Sequence, residues 1–385
     1  MDSGKSTSAV FMDFQKAFDK VWHTGLLHKL TTMGILPEST DWIKSFLTDR
    51  TITVRVGSQF SSQHTISAGV PQGSHLGPVL FLVFINDLPS HVNIPTELYA
   101  DDALLHQSLK RIATATLATD TLQVAVNAAE QWALQWHGRF GHTKTKLLNI
   151  GQKKNHPITI VIDDHPIEAV PQHKHLGIII TPDLKWHSHI HQVITNAAKR
   201  AGLLRWMSHH LRGPMIAQLY LAYVRPTMEY ASPLWHGSIR EEDAIQLERI
   251  QAAVARRILQ APWDTPKRQL LETLNWPALR WRREIASLCL LHQLLQSRPD
   301  PLHTILPPYA SSRNSRSPRK PNELILNFAC TSRYTHSFIF RTSVAWNTLP
   351  GHIQQLTNTH QFKLAIKQHF QAQKFDCQHN FLLAL

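Results

Sequence analysis

Four apolar residues, Ala9 to Met12, run into Asp13 and Phe14, a pattern that predicts a short buried strand ending on a carboxylate. The following segment DKVWHTGLLHKLTTMG reads as a helix closed by Gly34. Residues 51–56 (TITVRV) alternate as a strand, turn at Gly57-Ser58 and resume through HTISAGV. Between Leu117 and Trp136, the positions Leu122, Val126, Ala129, Ala133 and Trp136 share one helical face. That spacing predicts an amphipathic helix laid on a sheet, with its tryptophans in the core. PITIVID and HKHLGIIIT supply further strands, so the first half is α+β, a sheet covered by helices. Beyond residue 181 the pattern turns helical. Leu247, Ile250, Val254 and Ile258 form an apolar stripe, while Arg249, Arg256 and Arg257 decorate the rest of that helix. Residues 311–322 (SSRNSRSPRKPN) are polar, basic and broken by proline, which predicts a linker or basic arm before a short tail.

Composition sharpens this division. The chain has 385 residues and 43% hydrophobic content, enough for a substantial core. Its formal charge of +13 is unevenly placed: up to Thr181, 15 Lys and Arg face 15 Asp and Glu, and beyond it 25 face 12. A neutral half joined to a basic half suggests one module that grips a polyanion and another that acts on it; a charge-rich helical surface without a partner is the plainer alternative. No run of about twenty apolar residues and no secretory pattern appears, so the reading is an intracellular protein, nuclear or cytoplasmic, with no membrane partner and not secreted. Cys289, Cys330 and Cys377 form no C-x-x-C pair, which argues against a disulfide framework or zinc ribbon.

The stretch ELYADDALL sets Asp101 and Asp102 side by side between apolar neighbours. Adjacent carboxylates near a buried strand end repel each other and resist desolvation unless a cation joins them. Hard oxygen ligands of this density suit Mg²⁺. Asp13 offers a second acidic strand end, although by itself it also reads as an ordinary strand-terminal turn. Three carboxylates around two ions are the parts needed for phosphoryl or nucleotidyl transfer. Two other signals are weaker. Gly4-Lys5-Ser6-Thr7 mimics the end of a phosphate-binding loop but lacks the earlier glycine and the preceding strand, and His187, His189 and His191 alternate without a completing ligand.

Three blocks in order, FMDFQKAFDKVWHTGLLHKL, SAGVPQGSHLGPVLFLVFINDLP and LYADDALL, resemble the reverse transcriptases of non-LTR retrotransposons, most nearly the jockey-like group. HTKTKLLNIG, HKHLGIIITPDLKWHSHI, LYLAYVRPTMEYASPLWHG and SVAWNTLP extend the resemblance over most of the chain. It implies a right-hand polymerase palm, an antiparallel sheet with packed helices, over residues 1–181. A helical, basic thumb-like region over 182–310 and a basic linker and tail over 311–385 would follow. The implied activity is RNA-directed DNA synthesis, adding dNTPs to a DNA 3′-end, a primer or nicked target DNA, on an RNA template. Two Mg²⁺ ions, or Mn²⁺, would serve it.

By the same resemblance Asp13, the Phe14 carbonyl, Asp101 and the less critical Asp102 face metal. Phe18 is the aromatic under the incoming sugar, where a bulky ring collides with a 2′-hydroxyl; by itself it would read as a core phenylalanine. Gly69, Gly73 and Gly77 with Pro71 and Pro78 bend a segment against the nascent base pair, and Gln72 supplies its donors and acceptor. Lys144 matches the lysine that serves the departing pyrophosphate. Lys199, Arg200, Arg205, Arg256 and Arg257 are candidates for phosphate contacts in the thumb. Relative to the family's pattern, the fingers, an endonuclease domain and a cysteine-histidine knuckle are not matched, so the expectation is an N-terminally truncated piece of an element's polyprotein. A catalytically silent nucleic-acid-binding remnant is the alternative. A viral RNA-copying polymerase is disfavoured by Phe18 and by Tyr-Ala-Asp-Asp.

Overall fold

The structure is a computed structural model that describes residues 5–110, 115–151, 158–167, 169–300, 302–310, 322–371 and 374–375. Its contacts divide the chain into two compact units, which part between residues 176 and 185.

The first unit is organised by a four-stranded antiparallel sheet. Its strands are β1 (Lys5–Asp13), β2 (Thr96–Tyr99), β3 (Asp102–Lys110) and β4 (Lys146–Ile150), in the order β2-β3-β1-β4. The continuous apolar run of β1 follows from its central place, since both faces are covered. Val10 and Met12 enter the larger core, whereas Ala9 and Phe11 pack with Leu148 on the opposite face. Lys5, Ser6 and Thr7 lie in β1 opposite Lys110, Leu109 and Ser108, so this Lys-Ser-Thr run is strand and cradles no phosphate.

Three helices close the larger core: α1 (His23–Thr32), α2 (Leu76–Ile85) and α3 (Ala115–Gln135). The stripe expected on α3 is buried as its spacing requires, from Leu122 through Val126, Ala129 and Ala133. Helix α2 buries Leu80, Phe81, Phe84 and Ile85. A cation is sealed among them. Lys29 of α1 donates to the Phe84 carbonyl at 2.6 Å and to Asp87 Oδ1 at 2.5 Å, and lies 3.7 Å from the Trp136 ring centroid. Burial lowers its pKa, and Asp87 opposes that shift.

The strands expected elsewhere form, but in pieces. Arg50–Ile52 pairs with His64–Ile66, and Arg55–Val56 with Gln59–Phe60 around the anticipated Gly57-Ser58 turn. With Ile52, Val54, Val56 and Phe60 exposed, this arm has no buried face to hold one long register. Ile160–Ile162 pairs with His165–Ile167, and His173–His175 with Ile178–Ile180; neither short hairpin joins the main sheet.

The second unit is helical. Its longer helices are α4 (His187–Met207), α5 (Glu241–Leu259), α6 (Leu279–Ser297), α7 (Phe338–Thr348) and α8 (Thr359–His369). They surround a core in which Trp235, Trp281 and Trp346 are fully buried. A π-helical turn, Tyr220–Val224, interrupts the segment before α5; Tyr220 donates to Gln251 at 2.7 Å and stacks on Trp276. The core also contains charge. Arg341 donates to Glu284 at 2.5 Å, and His236 Nε2 lies 3.0 Å from the same oxygen, while Arg283 Nε donates toward His236 Nδ1 at 3.3 Å. With Nδ1 accepting, the proton sits on Nε2 and the imidazole is neutral. This agrees with a pKa lowered to about 3, chiefly by burial and then by Arg341. Burial would raise Glu284, but Arg341 and then His236 outweigh it and hold the carboxyl at about 2.

Residues 311–321 of the expected linker, and the tail beyond 375, lie outside the described residues. Cys289 is half-buried and Cys330 exposed. No helix among the described residues is long and apolar enough to cross a membrane.

Candidate active site

The antiparallel register of β1 and β3 sets Asp13 directly opposite Asp102, at the end of the ladder where both strands leave the sheet. Paired residues on adjacent strands share a face, so these two carboxylates emerge together. Asp101 lies in the tight turn between β2 and β3, since Tyr99 pairs with Asp102 and only Ala100 and Asp101 intervene. Ala100 holds φ 53, a conformation that side chains with a Cβ rarely adopt. A strained two-residue turn thus displays Asp101 beside the other two.

The electrostatics follow from this crowding. The carboxyl of Asp102 is raised, first by burial and further by Asp101 and Asp13, with His175 pulling the other way. His175 itself is lowered, mainly by burial, and packs with His173 around Phe11. Among the described residues no three His, Cys, Asp or Glu side chains are grouped so as to hold a metal ion as they stand. Carboxylate oxygens are nevertheless the donor type a hard cation takes, and a divalent charge beside them would offset both the burial that chiefly raises Asp102 and the smaller repulsion from Asp101 and Asp13.

The residues around the triad are placed by backbone pairing. Past Asp13, the chain bridges Phe14 to Phe140, and Gly141 N–H donates to the Asp13 carbonyl at 2.9 Å. That loop delivers Lys144, whose Nζ lies 3.4 Å from Asp13 Oδ2 while its side chain stays 73% exposed. The Phe14 ring is buried edge-on against Phe81, Trp132 and Phe140, so only its backbone is available to a ligand. Phe18 is half-buried and stacks on Phe81 at 4.9 Å, giving the ring a rigid backing.

The Gly-Val-Pro-Gln-Gly segment docks alongside. Val70 N–H donates to the Phe18 carbonyl and Gly69 N–H to the Val21 carbonyl, each at 2.8 Å. Gly69 has φ +89, and a Cβ there would sit 2.7 Å from the Asp19 carbonyl oxygen, so any other residue would be both strained and obstructed. His23 and Arg50 contact the Gly69 carbonyl at 2.8 Å and 2.6 Å. Gln72 reaches back to Asp19 Oδ1 at 2.7 Å, and Gly73, at φ +85, faces open space. Sequence reasoning overlooked Asp19, His23, Arg50 and His175. None breaks the hydrophobic period, and only three-dimensional pairing brings them to the site.

The second unit sorts the basic candidates. Arg205, Arg256 and Arg257 line one cavity of about 880 Å³ with the 86% exposed Trp263. Arg256 lies under the Trp263 ring at 5.0 Å, and Arg257 donates to Ser208 at 2.7 Å. Arg200 is tied to Thr227 and to the Tyr223 carbonyl, so its guanidinium ties helix to helix. Lys199 is exposed.

Residues 1–180 match the family model described as Reverse transcriptase (RNA-dependent DNA polymerase). The RNA-directed DNA polymerase from mobile element jockey of Drosophila melanogaster is 30% identical over 291 residues, covering 72% of this chain and 31% of that protein. Its counterpart from Drosophila funebris is 29% identical over 337 residues, covering 83% and 35%. Residues 1–180 therefore carry a reverse transcriptase domain. The similarity to these mobile-element polymerases runs past that domain, over most of the chain. The chain spans about a third of the length of the curated relatives it matches. A structure of telomerase from Candida tropicalis in complex with a fragment of telomeric RNA is also similar, at a TM-score of 0.35 and 13% identity, covering 70% of this chain and 49% of that one; a likeness so remote adds nothing to the assignment.

Proposed function

We propose that the chain is the palm and thumb portion of an RNA-directed DNA polymerase, with Asp13, Asp101 and Asp102 as its nucleotidyl-transfer centre. The observation that carries this reading is the register pairing of Asp13 with Asp102 beside the strained Ala100-Asp101 turn. In this reading the three carboxylates hold the metal. Mg²⁺ bound there supplies activation of the primer 3′-hydroxyl and neutralises charge on the triphosphate. The remaining roles fall to the chain's own residues. Phe18, backed by Phe81, presents a ring that excludes a 2′-hydroxyl and so favours dNTPs. Gln72, held by Asp19, lies against the forming base pair, and Lys144, next to Asp13 and otherwise in solvent, meets the departing pyrophosphate. The Arg205, Arg256 and Arg257 cavity grips phosphates of the RNA template or DNA primer, with Trp263 as a stacking face.

The test is extension of a DNA primer on an RNA template by the full chain with dNTPs and Mg²⁺, beside the Asp101→Asn variant. Synthesis by the parent and a loss of at least roughly a hundredfold in the variant are expected. Equal synthesis by both would overturn the assignment of Asp101. Binding of primed template without synthesis by either would leave a nucleic-acid-binding protein. A companion measurement concerns sugar choice: Phe18→Val should incorporate ribonucleotides more readily, and unchanged discrimination would remove Phe18 from that role.

A further inference from the structure

The second unit contains a cavity of about 620 Å³ that the polymerase reading does not use. Its inner wall is apolar and aromatic, formed by Trp276, Pro277, Ile285 and Phe370, with Leu221 supplied by the π-helical turn. Around this wall stand Arg225, Arg282, Lys363, Lys367 and Lys374, five cations against the single carboxylate of Glu229. That carboxylate is already engaged, by Arg282 donating from Nε and Nη2 and by Arg225 at 3.7 Å. Lys363 and Lys367 stand one turn apart on α8, exposed. Lys374 donates to Asn275 at 2.9 Å and lies 4.7 Å from the Phe375 ring centroid.

Such a combination selects its ligand on two grounds. The surplus positive charge calls for an anion with several oxygens, because phosphate can accept from two lysines and an arginine together. The apolar, aromatic lining calls for a planar, weakly polar body attached to that anion. The volume lies in the range of small-ligand sites. We infer that this cavity binds a nucleoside phosphate, with the phosphate on Lys363 and Lys367 and the base against the Trp276–Phe370 wall. The nucleotide is either free or the terminal residue of a nucleic-acid strand, and both share this chemistry. The inference stands apart from the polymerase reading, since none of these residues is one to which that reading gives a role.

Isothermal titration of the full chain in EDTA, where metal-dependent binding at the carboxylates is silent, provides the test. AMP, adenosine and a 5′-phosphorylated oligodeoxyadenylate are the probes. Saturable binding of AMP or of the oligonucleotide is expected, with adenosine at least roughly tenfold weaker. Preference for AMP identifies a free nucleotide as the source, and preference for the oligonucleotide identifies a strand terminus when the Lys363→Glu, Lys367→Glu chain loses it, because a strand held at Arg205, Arg256 and Arg257 would stay bound to that variant. The doubly substituted Lys363→Glu, Lys367→Glu chain should weaken binding by roughly tenfold or more, with an unchanged circular dichroism spectrum. Cys289 lines the same cavity, so saturating ligand should slow its alkylation and leave that of exposed Cys330 unchanged, as read by mass spectrometry. No binding by either phosphorylated probe, equal affinity of the charge-reversed chain, or unprotected Cys289 would each overturn the inference.

Discussion

Asp102 is held at a cost to the fold. Burial and the neighbouring Asp101 and Asp13 disfavour its charged form. Removing that charge should therefore stabilise the metal-free chain, as expected where function and stability conflict. Asp102→Asn is expected to raise the melting temperature in EDTA by roughly 1–3 °C. In Mg²⁺ the gain should shrink or reverse, and a drop in EDTA would show that the carboxylate serves the fold. Asp13, Asp101 and Asp102 were all legible in the sequence, because carboxylates at the ends of apolar runs contradict their surroundings. Gln72 was legible through its glycines. Its partner Asp19 was not, since an aspartate at the end of a short helical turn looks like any solvated acid. The difference is one of contrast: a residue shows in the sequence when it violates the local pattern.

Elements show the same rule. Helix α3 was readable because five apolar positions repeat at the helical period, and β1 because a central strand is apolar on both faces. The exposed arm over residues 50–66 was readable only in outline, for its alternation lacks a buried side to fix register. What locks α1 onto α2 and α3 was hidden, because a lysine on a helix normally reads as surface. Lys29 instead donates to the Phe84 carbonyl near the end of α2 and lies against Trp136 of the turn after α3. Lys29→Met keeps most of the volume and removes the charge, so its effect isolates these contacts. A loss of about 1–3 kcal/mol in urea-induced unfolding is expected. A variant as stable as the parent would mean that packing alone holds the three helices.

At the scale of the whole molecule, the two units depend on different physics. The first concentrates carboxylates at one end of a sheet, and the second sets arginines and a histidine within a helical core. In the second unit, folded His236 takes a proton only near pH 3 against 6.5 when unfolded, so its contribution is full above 6.5 and lost as acid approaches 3. Folded Glu284 titrates near 2 against 4.5 unfolded, so its contribution is full above 4.5 and falls toward 2. Both slopes have the same sign. Stability should therefore decline as pH falls from about 6.5 to 3, with Arg341→Leu costing about 3–5 kcal/mol at neutral pH by leaving Glu284 buried without its cation. A urea midpoint insensitive to acid over this window would contradict the neutral-imidazole arrangement. The basic excess of the second half was legible by counting charges, whereas the inward-facing members of that excess were not.

The order of strands in the sheet has a consequence for how the chain is made. The central strand β1 is synthesised first, yet β3 begins nearly 90 residues after β1 ends and β4 more than 130. At ribosomal speeds of about 5–20 residues per second, β1 spends several seconds as an apolar segment with two unpaired edges. Until β3 and then β4 emerge, the carboxylate end of β1 has nothing to face. The same topology that brings distant aspartates together makes this part of the fold a late event, and exposes the nascent chain to wrong pairings before the right ones exist.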